Sequence, residues 1–257
     1  MVRYAAMHEE PVVSADPDGP KMWSKNVLAL YETDPELVAA VLPRPLELTE
    51  PIVRVNYAQV DMPDGNPLSA GTVAVKCRDG DIVGSYDLLM IMNTDTAVVG
   101  GRETFGEPKK VGEASIRHEG DQVVAAMSRR GVVLAEVRGR VVEQLQVEPR
   151  SERYAFYFKF LMDPAGGRFD GDPSLVHVRR TQEDRLRERI EGELILRDSP
   201  FDPIADLPVR RVLSITYTES NQTQSGQISR SVPSEWIWPY RHQRYDNMIA
   251  RLQPARA

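Results

Sequence analysis

The stretch GRETFGEPKKVGEASI, residues 101–116, places two adjacent lysines, Lys109 and Lys110, directly after a proline and between glycines. The residues before it, YDLLMIMNTDTAVVG at 86–100, are largely apolar. We interpret the segment as a turn at the end of a buried strand, where one amine is pushed into a dry pocket. Burial disfavours the charged ammonium, and a neutral lysine is a nucleophile toward a ketone or aldehyde. A solvated lysine pair on a surface turn is the alternative that composition alone favours.

Predicted strands lie on both sides of this segment. Alternating or β-branched runs predict strands at 24–32, 52–60, 153–162 and 210–220. A hairpin is predicted to turn at Asp79–Gly80. Two or three more strands are predicted within 114–147, and LVHVRR and RIEGELILR are predicted as two strands separated by a charged turn.

Helices are predicted to be few. The clearest one begins after Thr33 or Asp34, because Pro35 suits the first turn, and it ends at Pro43. The last residues, from Trp236 onward, are predicted to dock and to end in a helix. Regular strand spacing with turns between the strands predicts a mainly β fold with peripheral helices (α+β), a closed or strongly curved antiparallel barrel or cone.

Composition predicts a globular chain of one large domain. The sequence has 257 residues, 41% of them hydrophobic, and shows no convincing linker. We predict an N-terminal arm at 1–20 and a single domain at 21–257. A net charge of −6 argues against nucleic acid as a partner. One cysteine, Cys77, cannot form an internal disulfide, which favours the reducing cytoplasm. The apolar run LLMIM is too short to cross a bilayer, so no membrane contact is expected.

Motifs for cofactors are absent from the sequence. No GxxxxGK[ST] loop, no GxGxxG after a strand and no GxSxG elbow occurs. The four histidines lie far apart, with no HxH or HExxH spacing. We therefore expect neither a cofactor nor a metal.

Four ordered segments resemble the acetoacetate decarboxylase family. They are the motif GRExxGxPKK with Gly112 after it, YETDPELVAAVLPRPLE at 31–47, EPIVRVNYAQV at 50–60 and SPFDPIADLPVRRVLS at 199–214. The resemblance spans roughly residues 20–220 and implies a barrel-like or cone-shaped fold that forms homo-oligomers. It also implies that Lys109 forms a Schiff base with an oxo acid and that Lys110 is its cationic neighbour.

Other candidate residues surround this assignment. Glu103 is a candidate to orient the amine or to shuttle a proton, and Arg102 is a candidate to hold a substrate carboxylate. Tyr240 is either a phenol positioned over the pocket or an anchoring aromatic residue. Asn56 stands where the family pattern has a glutamate, and we predict that it contacts substrate.

The predicted function is that of a lyase acting on a small oxo acid through a lysine Schiff base. Decarboxylation of a 3-oxo acid is the first expectation. A second expectation stays open, because the sequence departs from the family pattern at Asn56 and in an acid-free segment at 68–71. This is a Schiff-base aldolase-dehydratase that condenses pyruvate with an aldehyde. A non-catalytic protein that binds oxo acids is a third.

Overall fold

The structure, a computed structural model, describes residues 21–62, 65–147 and 150–246. The predicted arm at 1–20 therefore lies outside the described residues, as does the end of the predicted C-terminal helix. The strands are β1 (Trp23–Glu32), β2 (Glu47–Val60), β3 (Leu68–Asp79), β4 (Ile82–Met92), β5 (Lys109–Val111), β6 (Glu113–Glu119), β7 (Gln122–Arg129), β8 (Val132–Gln144), β9 (Ser151–Lys159), β10 (Ser174–Leu196) and β11 (Arg211–Ser231). The helices are α1 (Pro35–Val41), α2 (Asp95–Phe105) and α3 (Ser234–Ile237), with 3-10 turns at Ile204–Asp206 and Trp238–Gln243.

Seven strands close into a barrel. Their order is β11-β1-β2-β3-β4-β9-β10, and β10 pairs again with β11. Strands β8, β7 and β6 continue the sheet from the C-terminal half of β10. The predicted closed barrel is confirmed, but its pairing is mixed, because β4 pairs in parallel with both β5 and β9.

The two faces of the barrel wall differ in polarity. On β2, Val53, Val55 and Tyr57 are fully buried in the main apolar core, which also contains residues of β7 and β8. Arg54 and Asn56 alternate with them and face the inside of the barrel, since successive side chains of a strand point to opposite faces. The apolar core therefore lies between the barrel wall and the β6–β8 extension, and the inside of the barrel is left partly polar.

Most predicted elements are confirmed, and two predictions are wrong. The strands at 24–32 and 52–60, the helix after Asp34 and the turn after Asp79 are present. LVHVRR and RIEGELILR are parts of one continuous strand, β10, rather than two strands. The segment around Arg102 is not a turn but the second half of α2.

Helix α2 positions the lysine segment at its C-terminal end. The Thr94 side chain caps its first turn by accepting a hydrogen bond from the Ala97 amide. Gly106 ends it in the left-handed conformation, with φ of 80°. Within the described residues, no helix has the length and apolar character needed to cross a membrane.

Candidate active site

Glu107 and Lys109 form a largely buried ion pair just after the C-terminal end of α2. The Lys109 amide donates to the Glu107 carbonyl over 2.8 Å, which closes a three-residue turn around Pro108. The same turn brings the side chains together, with 2.8 Å between Lys109 Nζ and Glu107 Oε2. The Lys109 side chain is 12% exposed and that of Glu107 is 1% exposed.

The two lysines point to opposite faces of the sheet. In the parallel β4–β5 ladder, Lys109 lies beside Met90 and Lys110 lies beside Ile91. Met90 belongs to a small buried cluster that includes Tyr157, whereas Ile91 belongs to the main core. Since paired residues of neighbouring strands share a face, Lys109 is directed to the Tyr157 side and Lys110 away from it.

Lys110 lies in a separate cluster of charges. Its Nζ is 2.8 Å from Asp202 Oδ1 and 3.4 Å from Asp246 Oδ1, and Arg129 contacts both acids over 2.8 and 2.7 Å. Burial alone would raise the pKa of Asp246, but the hydrogen bond from Arg129 and the charge of Lys110 hold it well below its usual range. Lys110 therefore has nearby acidic partners of its own, and its amine is directed away from Lys109.

From Glu107, buried polar contacts continue into the barrel. Arg180 Nη2 donates to Glu107 Oε1 over 3.2 Å and to the Tyr157 hydroxyl over 2.6 Å. The Tyr157 hydroxyl in turn donates to Asp87 Oδ2, and Arg54 donates to Asp87 Oδ1 over 3.0 Å. These contacts connect Lys109 to Arg54 on β2, which β3 separates from β4.

Charge compensation holds this chain of contacts in place. Burial would lower the pKa of Arg180, but Tyr157, Asp87 and Glu107 raise it, so the guanidinium stays charged. Burial raises the pKa of Tyr157 well above its usual value, and the hydroxyl stays protonated and able to donate. Glu107 is thus fixed by a permanent cation on one side and faces the Lys109 amine on the other.

Gly101 leaves room for the ion pair between Glu107 and Lys109. A Cβ at Gly101 would lie 2.6 Å from both Cδ and Nζ of Lys109 and would collide with Glu107 Oε2. Glycine inside a helix costs about 1 kcal/mol relative to alanine. The structure explains its presence, because α2 passes directly over the ion pair.

A polar cavity of about 210 Å³ occupies the inside of the barrel. Its wall comes from five barrel strands and includes Asn26, Leu28, Arg54, Asn56, Ser151, Arg153, Gln182, Asp184, Arg187, Thr216, Thr218 and Gln222. Drug-sized pockets measure about 300–1,000 Å³, so this volume suits a small molecule. The lining contributed by the described residues includes Arg54 but not Lys109.

The structure places two of the predicted residues toward the inside of the barrel. Lys109 faces the Tyr157 side, and Asn56 lines the cavity beside Arg54. Their assigned roles stay predictions.

The other predicted residues lie elsewhere. Glu103 is exposed on α2, and the guanidinium of Arg102 stacks on Tyr245 with its centre 4.8 Å from the ring. The Tyr240 hydroxyl donates to the carbonyls of Ala40 and Leu42, both over 3.3 Å. The expectation that Arg102 and Glu103 share a turn with the lysines is wrong, because both lie in a helix. The geometry brings none of these three side chains to the Lys109 amine.

Sequence reasoning missed the residues that surround Lys109. Glu107 had a readable signal, because it stands two residues before Lys109 across a single proline, where a tight turn brings the two side chains together. Asp87, Tyr157 and Arg180 come from three different strands, and their meeting depends on strand order. Among the described residues, no three His, Cys, Asp or Glu side chains are grouped to hold a metal.

Comparison with known proteins identifies the family. The family model described as acetoacetate decarboxylase (ADC) matches residues 6–230. An acetoacetate decarboxylase of Chromobacterium violaceum is 30% identical over 216 residues, covering 78% of this chain and 84% of that protein. Acetoacetate decarboxylase 1 of Bradyrhizobium diazoefficiens is 29% identical over 205 residues, covering 75% of this chain and 79% of that protein.

Solved structures show the same fold. Acetoacetate decarboxylase from Legionella pneumophila has a TM-score of 0.74 at 21% identity, covering 83% of this chain and 88% of that one. The enduracididine biosynthesis enzyme MppR complexed with pyruvate has a TM-score of 0.68 at 15% identity, covering 84% of this chain and 92% of that one. Because the family model spans most of the sequence, the chain belongs to the acetoacetate decarboxylase family.

Proposed function

We propose that this protein is a lyase that forms a Schiff base between Lys109 and a small oxo acid. The observation that carries the proposal is the largely buried Lys109 amine with a carboxylate, Glu107, 2.8 Å away. A carboxylate at this distance is within reach to accept the proton that the nitrogen loses as it adds to the carbonyl. Family membership supports the same assignment.

The chemistry follows from the amine. Lys109 Nζ adds to the substrate carbonyl, water leaves, and a protonated imine forms. In a 3-oxo acid the bond to the carboxylate then breaks, its electron pair flows to the imine nitrogen, and carbon dioxide and an enamine result. Protonation of the enamine carbon and addition of water release the ketone and restore the lysine.

Glu107 is the proposed proton acceptor in this sequence. It was not among the residues predicted from the sequence, where Glu103 had that role. Arg180 holds the second Glu107 oxygen, so the carboxylate is oriented toward the amine before substrate arrives. For the carbonyl to reach the amine, the lysine side chain turns from Glu107 toward the cavity wall at Arg54.

An aldolase-dehydratase is the second candidate. Asn56, on the cavity wall, cannot transfer a proton at neutral pH, unlike the glutamate of the family pattern. The fold neighbour MppR has been solved with pyruvate and with the condensation product of pyruvate and imidazole 4-carboxaldehyde. In this reaction the enamine from pyruvate attacks an aldehyde, and water is lost afterwards.

Product analysis separates the candidates. Purified protein is incubated with acetoacetate, and carbon dioxide is measured; in parallel it is incubated with pyruvate and an aldehyde, and a conjugated chromophore is sought. Lys109→Ala is expected to abolish whichever product forms. Product formation by Lys109→Ala at the wild-type rate would refute the proposal. If no product forms and an oxo acid stabilises the wild-type protein and Lys109→Ala equally against unfolding, a non-catalytic binding protein would be favoured. A homo-oligomeric state and a cytoplasmic location stay predictions.

A further inference from the structure

Arg153 is a partly buried cation without an ion-pair partner among the described residues. Its Nη1 donates to Gln182 Oε1 over 2.7 Å and its Nη2 donates to Gln222 Oε1 over 3.1 Å, so both partners are neutral amides. Its Nε is buried and lacks a hydrogen-bond partner. Buried charges are normally paired with an opposite charge, so this guanidinium is an exception.

Two neighbouring arginines add to the excess of positive charge around Arg153. Arg153 lies directly opposite Arg180 in the antiparallel β9–β10 ladder, a position where like charges are destabilising. Arg180 is compensated by Glu107 and Asp87, and Arg54 by Asp87. Burial, together with the charges of Arg54 and Arg180, lowers the pKa of Arg153 to about 9, although the charge of Asp87 acts in the opposite direction, and at neutral pH the group stays cationic.

Arg153 also lines the cavity, on the part of the wall formed by β9. Asp184 lines the cavity as well, but its carboxylate accepts from Gln182. An unbalanced charge of this kind on the wall of a cavity is characteristic of a binding site whose ligand completes the charge balance. Arginine suits a carboxylate in particular, since its planar donors match the two oxygens.

We infer that Arg153 binds a carboxylate that the substrate keeps through the reaction, so that the substrate class is an oxo acid with a carboxylate remote from its carbonyl. This inference rests on the proposed function, which puts the carbonyl at Lys109. Arg153 lines the cavity and Lys109 does not, so the two groups contact different parts of the barrel interior.

The chemistry of decarboxylation leads to the same assignment. A guanidinium bound to the departing carboxylate stabilises the ground state more than the neutral carbon dioxide that forms, which slows the reaction. An arginine in the cavity is therefore suited to a second carboxylate that does not leave. For a decarboxylase the substrate is then a dicarboxylic 3-oxo acid, and for an aldolase the aldehyde carries the remote carboxylate.

The test compares two methyl ketones of the same length, 4-oxopentanoate and pentan-2-one. They differ in ending with a carboxylate or a methyl group, and neither carries a carboxylate that an imine could release. Each is trapped on the protein with borohydride, and the concentration for half-maximal labelling is measured. Wild type is expected to prefer the oxo acid by about tenfold to a hundredfold, as for a hydrogen bond to a charged group.

Three variants resolve the origin of that preference. Arg153→Gln is expected to remove it while leaving labelling by saturating pentan-2-one intact, and Arg153→Lys to restore part of it. Arg179→Gln, on the exposed neighbouring position of β10, serves as the matched control and is expected to behave as wild type. A preference that persists in Arg153→Gln, or its absence in wild type, would overturn the inference without touching the Schiff base.

A second readout works even when no label is trapped. Failure of both ketones to label Lys109 counts against the proposed function, and binding is then followed by thermal unfolding. Stabilisation of wild type by 4-oxopentanoate, absent in Arg153→Gln and present in Arg179→Gln, supports the carboxylate site by itself. Equal stabilisation of all three proteins, or of none, contradicts it.

Discussion

Replacing Gly101 with alanine is expected to slow imine formation at Lys109 without lowering the stability of the protein. The added Cβ would stand 2.6 Å from Lys109 Nζ and would overlap Glu107 Oε2. Neither atom can keep its position, because ordinary contact with a Cβ begins at 3.4 Å. The substitution thus acts on the ion pair directly, although it changes no charged or polar side chain.

The size of the effect follows from that displacement. Moving the amine from 2.6 Å to 3.4 Å requires a shift of about 0.8 Å. A misplacement of about 1 Å costs on the order of a hundredfold in rate. Helix propensity works in the opposite direction, since alanine is favoured over glycine by about 1 kcal/mol inside a helix.

Gly100→Ala is the matched control on the same helix. Gly100 is exposed, and a Cβ there meets nothing within 4 Å. Both variants gain helix propensity, so Gly100→Ala is expected to unfold about 2–4 °C higher than wild type, with Gly101→Ala gaining less. Imine formation, measured by borohydride trapping with an oxo acid over time, is expected to fall about a hundredfold in Gly101→Ala alone. Trapping by Gly101→Ala at the wild-type rate would refute the placement of Lys109 and Glu107 under α2.

Three further predictions concern the charged groups. Glu107→Gln keeps the shape of the side chain but removes the proton acceptor, so trapping at Lys109 is expected to slow by about 10²–10⁴-fold while the protein stays folded; unchanged trapping would exclude Glu107 as the base. Lys110→Met is expected to lower the free energy of unfolding by about 3–5 kcal/mol, because a buried ion pair is broken, whereas Lys76→Met, which removes a solvent-exposed ion pair with Glu50, should change it little; equal effects in urea unfolding would contradict the structural role. The pKa of Asp246 is depressed in the folded state, so its carboxylate stabilises the fold above about pH 4, and this stabilisation is lost as the pH falls further. Asp246→Asn should therefore reduce the loss of stability between about pH 4 and 2. An unchanged dependence of stability on pH in this range would contradict the linkage.

Local sequence patterns predicted the barrel strands that carry an apolar face. β2 alternates clearly, because Val53, Val55 and Tyr57 face the main core. β10 was divided in two because its middle, TQEDRLRER, looks like a charged turn. Gln182 and Asp184 face the polar cavity instead. A strand that lines a polar interior loses the alternation that identifies strands, so such strands are missed where the site is formed.

Sequence reasoning proposed a nucleophile for the candidate site but missed the residues that surround it. The motif identified Lys109, and the opposite directions of the two lysines follow from the extended backbone at 109–110. Helix α2 was missed because Gly100 and Gly101 are poor helix formers, and with it the exposed position of Glu103. Arg153 was not identifiable from sequence, since its uncompensated charge becomes visible only when β9 and β10 are paired.

The central claim is that Lys109, and not its neighbour Lys110, attacks the carbonyl. Wild-type protein is treated with borohydride and a panel of oxo acids, digested, and sequenced by tandem mass spectrometry to assign the adduct to one of the two lysines. We predict that the reduced adduct is on Lys109, with Lys110 unmodified and no adduct formed by Lys109→Arg. An adduct on Lys110, or no adduct on this peptide with any oxo acid, would contradict the account.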